Sequence, residues 1–390
     1  MNYDFPKIYN IDDVLCAIKD SPEFIVAEKD GYKVVNYVVA TQDTFPAVEG
    51  DDIPSLYNAM VRRECRGLVF DMDGKLINRR YHKFFNVNER DETQLNQIDW
   101  NKPHVILEKL DGSMVSPCYV NGHIRWMTKM GITDTSMEAE AFVASRPYYV
   151  ECAKALLDDG LTPIFEWCSN KNRIVLDYPE DRLVLTAIRH NETGRYMSHS
   201  EMESVAAVHD IPVVKAYENT RNPESLARWV HRQEGIEGVV VRFDDGHMVK
   251  IKADWYVRIH KVKSLLGQER DVVKLILNNE LDDLLPVLPK EDVERVEKFQ
   301  SVMATELRRE SIAMSVLIDD VRSKMDRKTF ALDFTEIHPV WKSMVFKFWD
   351  KECNEHLTYQ AIVAMILLNC GNNQSYAKVK EAFLEEINYV

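Results

Sequence analysis

The chain has 390 residues, enough for two or three domains with a sizeable core. Hydrophobic residues make up 45% and charged residues 29%, which excludes disordered and collagen-like classes. Lys and Arg total 49 against 63 Asp and Glu, a formal net charge of −14, so a uniformly basic nucleic-acid coat is excluded and any polyanion must meet a local basic patch.

No apolar run approaches the roughly 20 residues of a membrane span; the longest lies around Ala361 to Leu368. The first residues lack the apolar stretch of a signal peptide, so a cytoplasmic location is expected, with no membrane partner. Seven cysteines without a C-x-x-C pair read as reduced thiols.

Four hairpins are expected where β-branched and aromatic runs flank a turn dipeptide. They fall at 24–39 around Asp30-Gly31, 68–78 around Asp73-Gly74, 114–128 around Asn121-Gly122, and 239–251 around Asp245-Gly246. A helical stretch is expected over 136–159. Together these predict an α+β fold on antiparallel sheets. Beyond about 264 the texture changes, with only Gly267 and Gly371 of the 14 glycines. Pro289, Glu291 and Asp292 make a helix start, Val293, Val296, Gln300, Met303 and Leu307 follow helical spacing, and 359–368 continues in that style. Two domains are predicted, 1–263 and an all-helical 264–390.

The sharpest chemical feature is Glu108-Lys109-Leu110-Asp111-Gly112-Ser113, after an apolar run. A nucleophilic lysine must lose a proton despite an ordinary pKa of ~10.4, so neighbouring cations, desolvation or a metal must help. Asp111 is expected to project to the same side as Lys109, and Gly112 to let backbone approach a bulky ligand. A surface turn is the plain alternative. Downstream, Lys250 and Lys252 share one face of a strand, Glu237 at a strand start suits a metal, and five cations from Lys250 to Lys263 face a single acid, Asp254. A lysine-rich edge strand that resists aggregation is the alternative there. Arg63-Glu64-Cys65-Arg66-Gly67 and Tyr81-His82-Lys83-Phe84-Phe85-Asn86 mix cations with aromatics, as base stacking and phosphate neutralisation require, or as core packing would. Glu166 in Phe165-Glu166-Trp167 needs a partner, a ribose hydroxyl or an arginine.

In this order the segments resemble the motif series of the covalent nucleotidyltransferases: ATP-dependent DNA ligases, RNA ligases and capping enzymes. Ser113 after the glycine points to RNA ligases. Glu64-Cys65-Arg66-Gly67, Lys83 to Glu89, Asn172 to Leu176, Lys250 to Val257 and Asp326-Arg327-Lys328-Thr329 are similar to the RNA ligase 1 family of T-even bacteriophages, the tRNA-repair type. The 42–54 loop is not clearly alignable, and Leu110 replaces a common acidic residue.

The resemblance implies an adenylyltransferase domain followed by a helical, tRNA-selecting domain in a monomer acting in the cytoplasm, that of the bacterial host if phage-encoded. Lys109 would be adenylylated, and Tyr37, Arg66, Lys83, Glu166, Lys250 and Lys252 would contact ATP. Phe85, Asp111, Gly112, Lys129, Glu237, Gly238 and Tyr256 match further positions needed for activity. Glu237 and Asp282 would contact the metal, Mg²⁺ or Mn²⁺, though Asp282 also reads as a helix N-cap. Asp111 is expected to orient or deprotonate the attacking RNA hydroxyl. The implied activity is an ATP-dependent RNA ligase (EC 6.5.1 type) joining 3′-OH and 5′-phosphate ends, on tRNA cleaved in its anticodon loop. A DNA ligase or capping enzyme, and a catalytically dead RNA-binding relative, are the alternatives.

Overall fold

All strands among the described residues lie in the first 252 positions. They are β1 (Phe24–Lys29), β2 (Tyr32–Tyr37), β3 (Arg66–Phe70), β4 (Leu76–Asn78), β5 (Phe85–Asn86), β6 (His104–Lys109) and β7 (Ser113–Val120), then β8 (His123–Met127), β9 (Leu161–Cys168), β10 (Arg182–His190), β11 (Ala216–Tyr217), β12 (Gly238–Phe243) and β13 (Met248–Lys252). The computed structural model describes residues 5–389 apart from 42, 50, 172, 221, 283 and 334–336. Two compact units result, Met1–Val257 and Arg258–Val390, dividing within the helix Asp254–Leu265.

Three sheets build the first unit, with strand orders β1-β2-β3-β4, β10-β9-β7-β8 and β11-β6-β12-β13-β5. All pairings are antiparallel except β13 with β5. The four expected hairpins form β1/β2, β3/β4, β7/β8 and β12/β13. At the β7/β8 turn Asn121 and Gly122 both take positive φ (49° and 80°), which matches the right-handed twist of the strands and suits this dipeptide.

The third sheet is two-faced, and its alternation creates the site. Val239 and Val241 of β12 join Ile106, Val249 and Ile251 of the adjacent strands, and Leu226 and Val230 of the helix Pro223–His231, in one buried cluster. Each such side chain contributes about 1.5–3 kcal/mol when fully buried. With the period of two, Leu107, Lys109, Val240, Arg242, Met248, Lys250 and Lys252 turn to the opposite face.

The stretch expected as one helix over 136–159 is two, Asp134–Ala144 and Pro147–Asp158, because Pro147 cannot donate into a preceding turn and instead starts a new helix.

In the second unit the helix Lys290–Lys324 begins after Pro289 and buries Val296, Phe299, Met303, Leu307, Met314, Ile318 and Val321. Phe299 takes the core position where the sequence suggests Gln300; both fall within one turn of Val296, and the aromatic ring wins burial. The expected second helix is Glu355–Asn369, whose Thr358 hydroxyl donates to the Ser311 carbonyl at 2.9 Å. Asp326 of the family-like tail segment accepts from the Lys328 and Thr329 amides, both at 2.9 Å, and starts the helix Arg327–Asp333. Asp282 is exposed in a turn; the short 3-10 helix that follows, Leu285–Val287, has Leu284 as its N-cap, so the expected capping role does not materialise.

Candidate active site

Lys109 ends β6 opposite Gly238 of β12, which in turn pairs with Lys252 of β13. The strands pinch here: a Cβ on Gly238, at φ 150°, would stand 2.1 Å from the Ile251 carbonyl oxygen. That pinch lets Glu237, one residue earlier and nearly buried, reach both lysines. Its Oε2 lies 2.8 Å from Lys109 Nζ and its Oε1 2.9 Å from Lys252 Nζ. One strand row further, Leu107, Val240 and Lys250 align. Burial, reinforced by Lys83, Lys109, Arg66 and Lys252, lowers the Lys250 pKa to about 7.

The facing wall comes from the second sheet. Gly112 leads into β7, where its Cβ would meet the Trp167 carbonyl oxygen of β9 at 2.4 Å. The close neighbour that requires glycine is therefore a strand, not the ligand expected from the sequence. Glu166 of β9 lines the pocket beside it. Burial raises its pKa to about 7, with Lys109 and Arg66 opposing and Glu237 and Asp111 adding to the rise.

A third group carries most of the remaining cations. Arg66 at the start of β3 and Lys129 after β8 line the pocket. Lys129 Nζ lies 4.9 Å from the Tyr37 ring centre, and Lys83 Nζ lies 5.6 Å from Tyr37 and 5.0 Å from Phe85. Burial tends to raise the Tyr37 phenol, but Arg66, Lys83 and Lys129 bring it below its ordinary value. Burial likewise lowers Lys83. Phe85 is both a core residue and the floor beneath Lys83.

The resulting cavity measures about 440 Å³, within the usual range of small-molecule sites. Arg66, Lys109, Lys129, Arg242, Lys250 and Lys252 line it against Glu108 and Glu166, a cationic excess inside an acidic protein.

Asp111 departs from expectation. It is 3% exposed and is not part of the pocket lining. Its Oδ2 accepts from the amides of Val175 and Leu176 at 2.8 and 2.7 Å, its Oδ1 accepts from the Tyr256 hydroxyl at 2.6 Å, and its own amide donates to the Tyr178 hydroxyl at 2.9 Å. The carboxylate thus ties the residue after the Lys109 strand to the 175–178 segment and to Tyr256, instead of joining Lys109 on one face. The family-like segment at 172–176 supplies those amides; Asn172 itself lies outside the described residues, as does Gln42.

Other expectations are redistributed. Glu64 is held by Arg79 and Arg189 at 3.1 and 2.8 Å, all nearly inaccessible, and their charges outweigh burial to hold it at about 2. Arg63, expected near phosphate, is buried with Glu92 at 2.8 Å. Of the 250–263 cations only Lys250 and Lys252 belong to the pocket; Arg258, Lys261 and Lys263 fall in the second unit, where Lys263 meets Asp292 at 3.3 Å. Asp282 also belongs to the second unit. Sequence reasoning missed Arg242 and Thr186 as pocket residues, although the period of two from Gly238 and Val240 leads to Arg242.

A lysine at the junction of two sheets, opposite a shared carboxylate and ringed by cations, has the chemistry to hold a phosphate-bearing group beside a nucleophile. The motif order along β6, β9, β12 and β13 is that of the nucleotidyltransferase class. A family model described as RNA ligase, of the T4 RNA ligase 1 type, matches residues 64–256. A putative RNA ligase of Thermovibrio ammonificans is 28% identical over 71% of this chain and 74% of its own. RNA ligase 1 of bacteriophage TS2126 is 25% identical over 76% of this chain and 73% of its own. A putative bifunctional polynucleotide kinase/RNA ligase of Autographa californica nuclear polyhedrosis virus is 28% identical over 58% of this chain and 35% of its own. Among solved structures, an archaeal ATP-dependent RNA ligase covers 94% of this chain and 77% of its own at 13% identity, with a TM-score of 0.40. The family model and these relatives support an RNA ligase 1-like family for the chain, of the ATP-dependent type its motifs resemble.

Proposed function

We propose that the protein seals RNA by three in-line phosphoryl transfers using ATP. Lys109 Nζ attacks the α-phosphorus, the bond to the bridging oxygen of the β-phosphate breaks, and pyrophosphate leaves a lysyl-AMP phosphoramidate. AMP then passes to an RNA 5′-phosphate, and a 3′-OH attacks the activated phosphate, expelling AMP and forming the phosphodiester. Such transfers draw mainly on positioning and charge neutralisation. Arg66, Lys83 and Lys129 suit the departing phosphates, Lys250 and Lys252 the charge at the α-phosphorus, and Glu166 the ribose. Tyr37 and Phe85 hold the cation cluster in place, and Gly112 and Gly238 allow the strand contacts that bring Glu166 and Glu237 to Lys109.

The observation that carries this reading is Glu237, shared by Lys109 and Lys252 at 2.8 and 2.9 Å. Glu237 holds Lys109 Nζ in place, so an incoming cation or phosphate that redraws this contact releases the nucleophile. Asp111, with both oxygens engaged, is assigned to positioning the Lys109 turn and Tyr256 rather than to the RNA hydroxyl.

Among the described residues no cluster of three His, Cys, Asp or Glu side chains could hold a metal. Glu237 offers one carboxylate, which fits a Mg²⁺ or Mn²⁺ that keeps water and phosphate ligands. When bound, the metal would add charge neutralisation at the phosphates. Residues 1–263 form the adenylyltransferase domain in this reading. Residues 264–390 would engage the RNA, with tRNA cleaved in the anticodon loop as the substrate and the cytoplasm as the place of action of a monomer.

The test is sealing of single-stranded RNA, anticodon-cleaved tRNA and nicked duplex DNA, each with and without ATP and a divalent cation. Sealing of RNA that requires ATP supports the reading. ATP-independent sealing, or activity on nicked DNA alone, contradicts it.

A further inference from the structure

Arg242 is the one pocket cation that is both fully inside the protein and unsatisfied. It is 4% exposed, and neither Nη1 nor Nη2 has a hydrogen-bond partner. A buried guanidinium left in this state costs several kcal/mol, so a structure that keeps it has a reason to do so. Its position supplies one. Along the pocket face of β12, Gly238 stands opposite Lys109 and Lys252, Val240 opposite Leu107 and Lys250, and Arg242 opposite Val105 and Met248. Four residues at about 3.3 Å each put Arg242 roughly 13 Å from the nucleophile's row. Along this path the rows carry two lysines, then one lysine, then Arg242 beside the Met248 thioether, so the guanidinium is the single cation at the end far from Lys109.

Thr186 lines the same pocket and is also buried, at 9% exposed. Its hydroxyl proton is committed to the Ile164 carbonyl at 3.0 Å and it shares a hydrogen bond with Tyr81, which leaves one oxygen lone pair to accept from a ligand. Tyr81, also in the lining, feels both Thr186 and Arg242.

Resting on the ATP-dependent reading above, we propose that Arg242 and Thr186 read the purine edge of the nucleotide: Arg242 donates to a ring nitrogen, and Thr186 accepts from the exocyclic amine. The guanidinium is 4% exposed, so seating the base against it requires the adjoining side chains to shift. Adenine offers an amine beside a ring acceptor. Guanine puts a carbonyl where Thr186 needs a donor. A site that strands a buried polar group when the wrong partner enters discriminates strongly.

The experiment measures lysyl-nucleotide formation with ATP, GTP, 1-deaza-ATP and 7-deaza-ATP by the wild type, Arg242→Met and Thr186→Val. In the wild type, one deaza analogue and GTP should raise KM about 10- to 100-fold, the span of one hydrogen bond to a charged group. Arg242→Met should raise KM for ATP by the same factor and treat ATP and that analogue alike. Its thermal midpoint should hold or rise, because an unpaired buried charge is removed. Thr186→Val should narrow the ATP-to-GTP ratio. The analogue arm on the wild type needs no substitution, so a variant that misfolds does not decide the matter. Equal KM for ATP and both deaza analogues in the wild type, or an Arg242→Met enzyme that still discriminates, overturns the assignment while leaving the ligase reading intact. A wild type that forms no covalent nucleotide with any triphosphate overturns both.

Discussion

Two charged clusters in the first unit show what separates a structural ion pair from a working site. Glu64 sits between Arg79 and Arg189, one carboxylate for two guanidiniums, with all three side chains at most 1% exposed and Arg79 and Arg189 bonded further to backbone carbonyls. Every group is answered from within the protein. Beside the pocket Glu237 answers Lys109 and Lys252, while Lys250, over the Phe84 ring, and Glu166 have shifts to about 7 in opposite senses and no salt bridge of their own. The first cluster is closed and holds the fold; the second leaves Lys250 and Glu166 without an ion pair, the arrangement a ligand site needs.

The largest expected effect comes from opening the closed cluster. Glu64→Gln leaves two buried guanidiniums against a neutral amide and should lower stability by about 3–5 kcal/mol, measured by urea unfolding. Glu237→Gln, by contrast, should leave the unfolding midpoint nearly unchanged while cutting lysyl-AMP formation by about 100-fold or more, since the nucleophile loses its positioning partner. If both substitutions destabilise equally, the distinction between the clusters fails. Between these extremes, Asp111→Asn weakens three donated bonds to a buried carboxylate and should cost about 2 kcal/mol, with faster hydrogen exchange at the Val175 and Leu176 amides.

A pH measurement sharpens the contrast. At pH 8 the Lys250 amine, lowered to about 7 by burial and neighbouring cations, is mostly neutral. A bound polyphosphate favours its charged form, so nucleotide binding should take up protons, seen as buffer-dependent calorimetric enthalpy and reduced in Lys250→Met. In the ligand-free protein, the sign for this group follows from its depressed pKa. The unfolded chain binds more protons between about pH 7 and 10, so Lys250 makes stability rise with pH across that window. Glu166, raised to about 7, works the other way: its contribution falls as pH climbs from the ordinary carboxylate range to about 7. The smallest effect belongs to the surface, where removing the exposed Lys154–Asp158 pair should not move the thermal midpoint.

Local chemistry made much of this legible from sequence. The turn dipeptides specify their hairpins through backbone conformation alone, and the period of two puts Lys250 and Lys252 on one face wherever the strand packs. Asp111 was not legible in the same way, because its side chain is directed by amides more than 60 positions away and by a tyrosine beyond 250. Gly112 and Gly238 advertise a close approach, but only the sheet reveals that the approaching atoms are carbonyls of neighbouring strands. Arg63, Glu64 and Arg66 look alike as sequence. The helix Ile53–Glu64 ends between them, turning the first two into the core and leaving Arg66 to open β3 at the pocket.

The central claim is that Lys109 carries the nucleotide. Incubation with ATP and a divalent cation, followed by denaturation, proteolysis and mass spectrometry, tests it most directly. The account predicts one AMP on the peptide containing Lys109, lost at acid pH as a phosphoramidate and absent from Lys109→Ala. AMP on another residue, or a label that persists in Lys109→Ala, would contradict it.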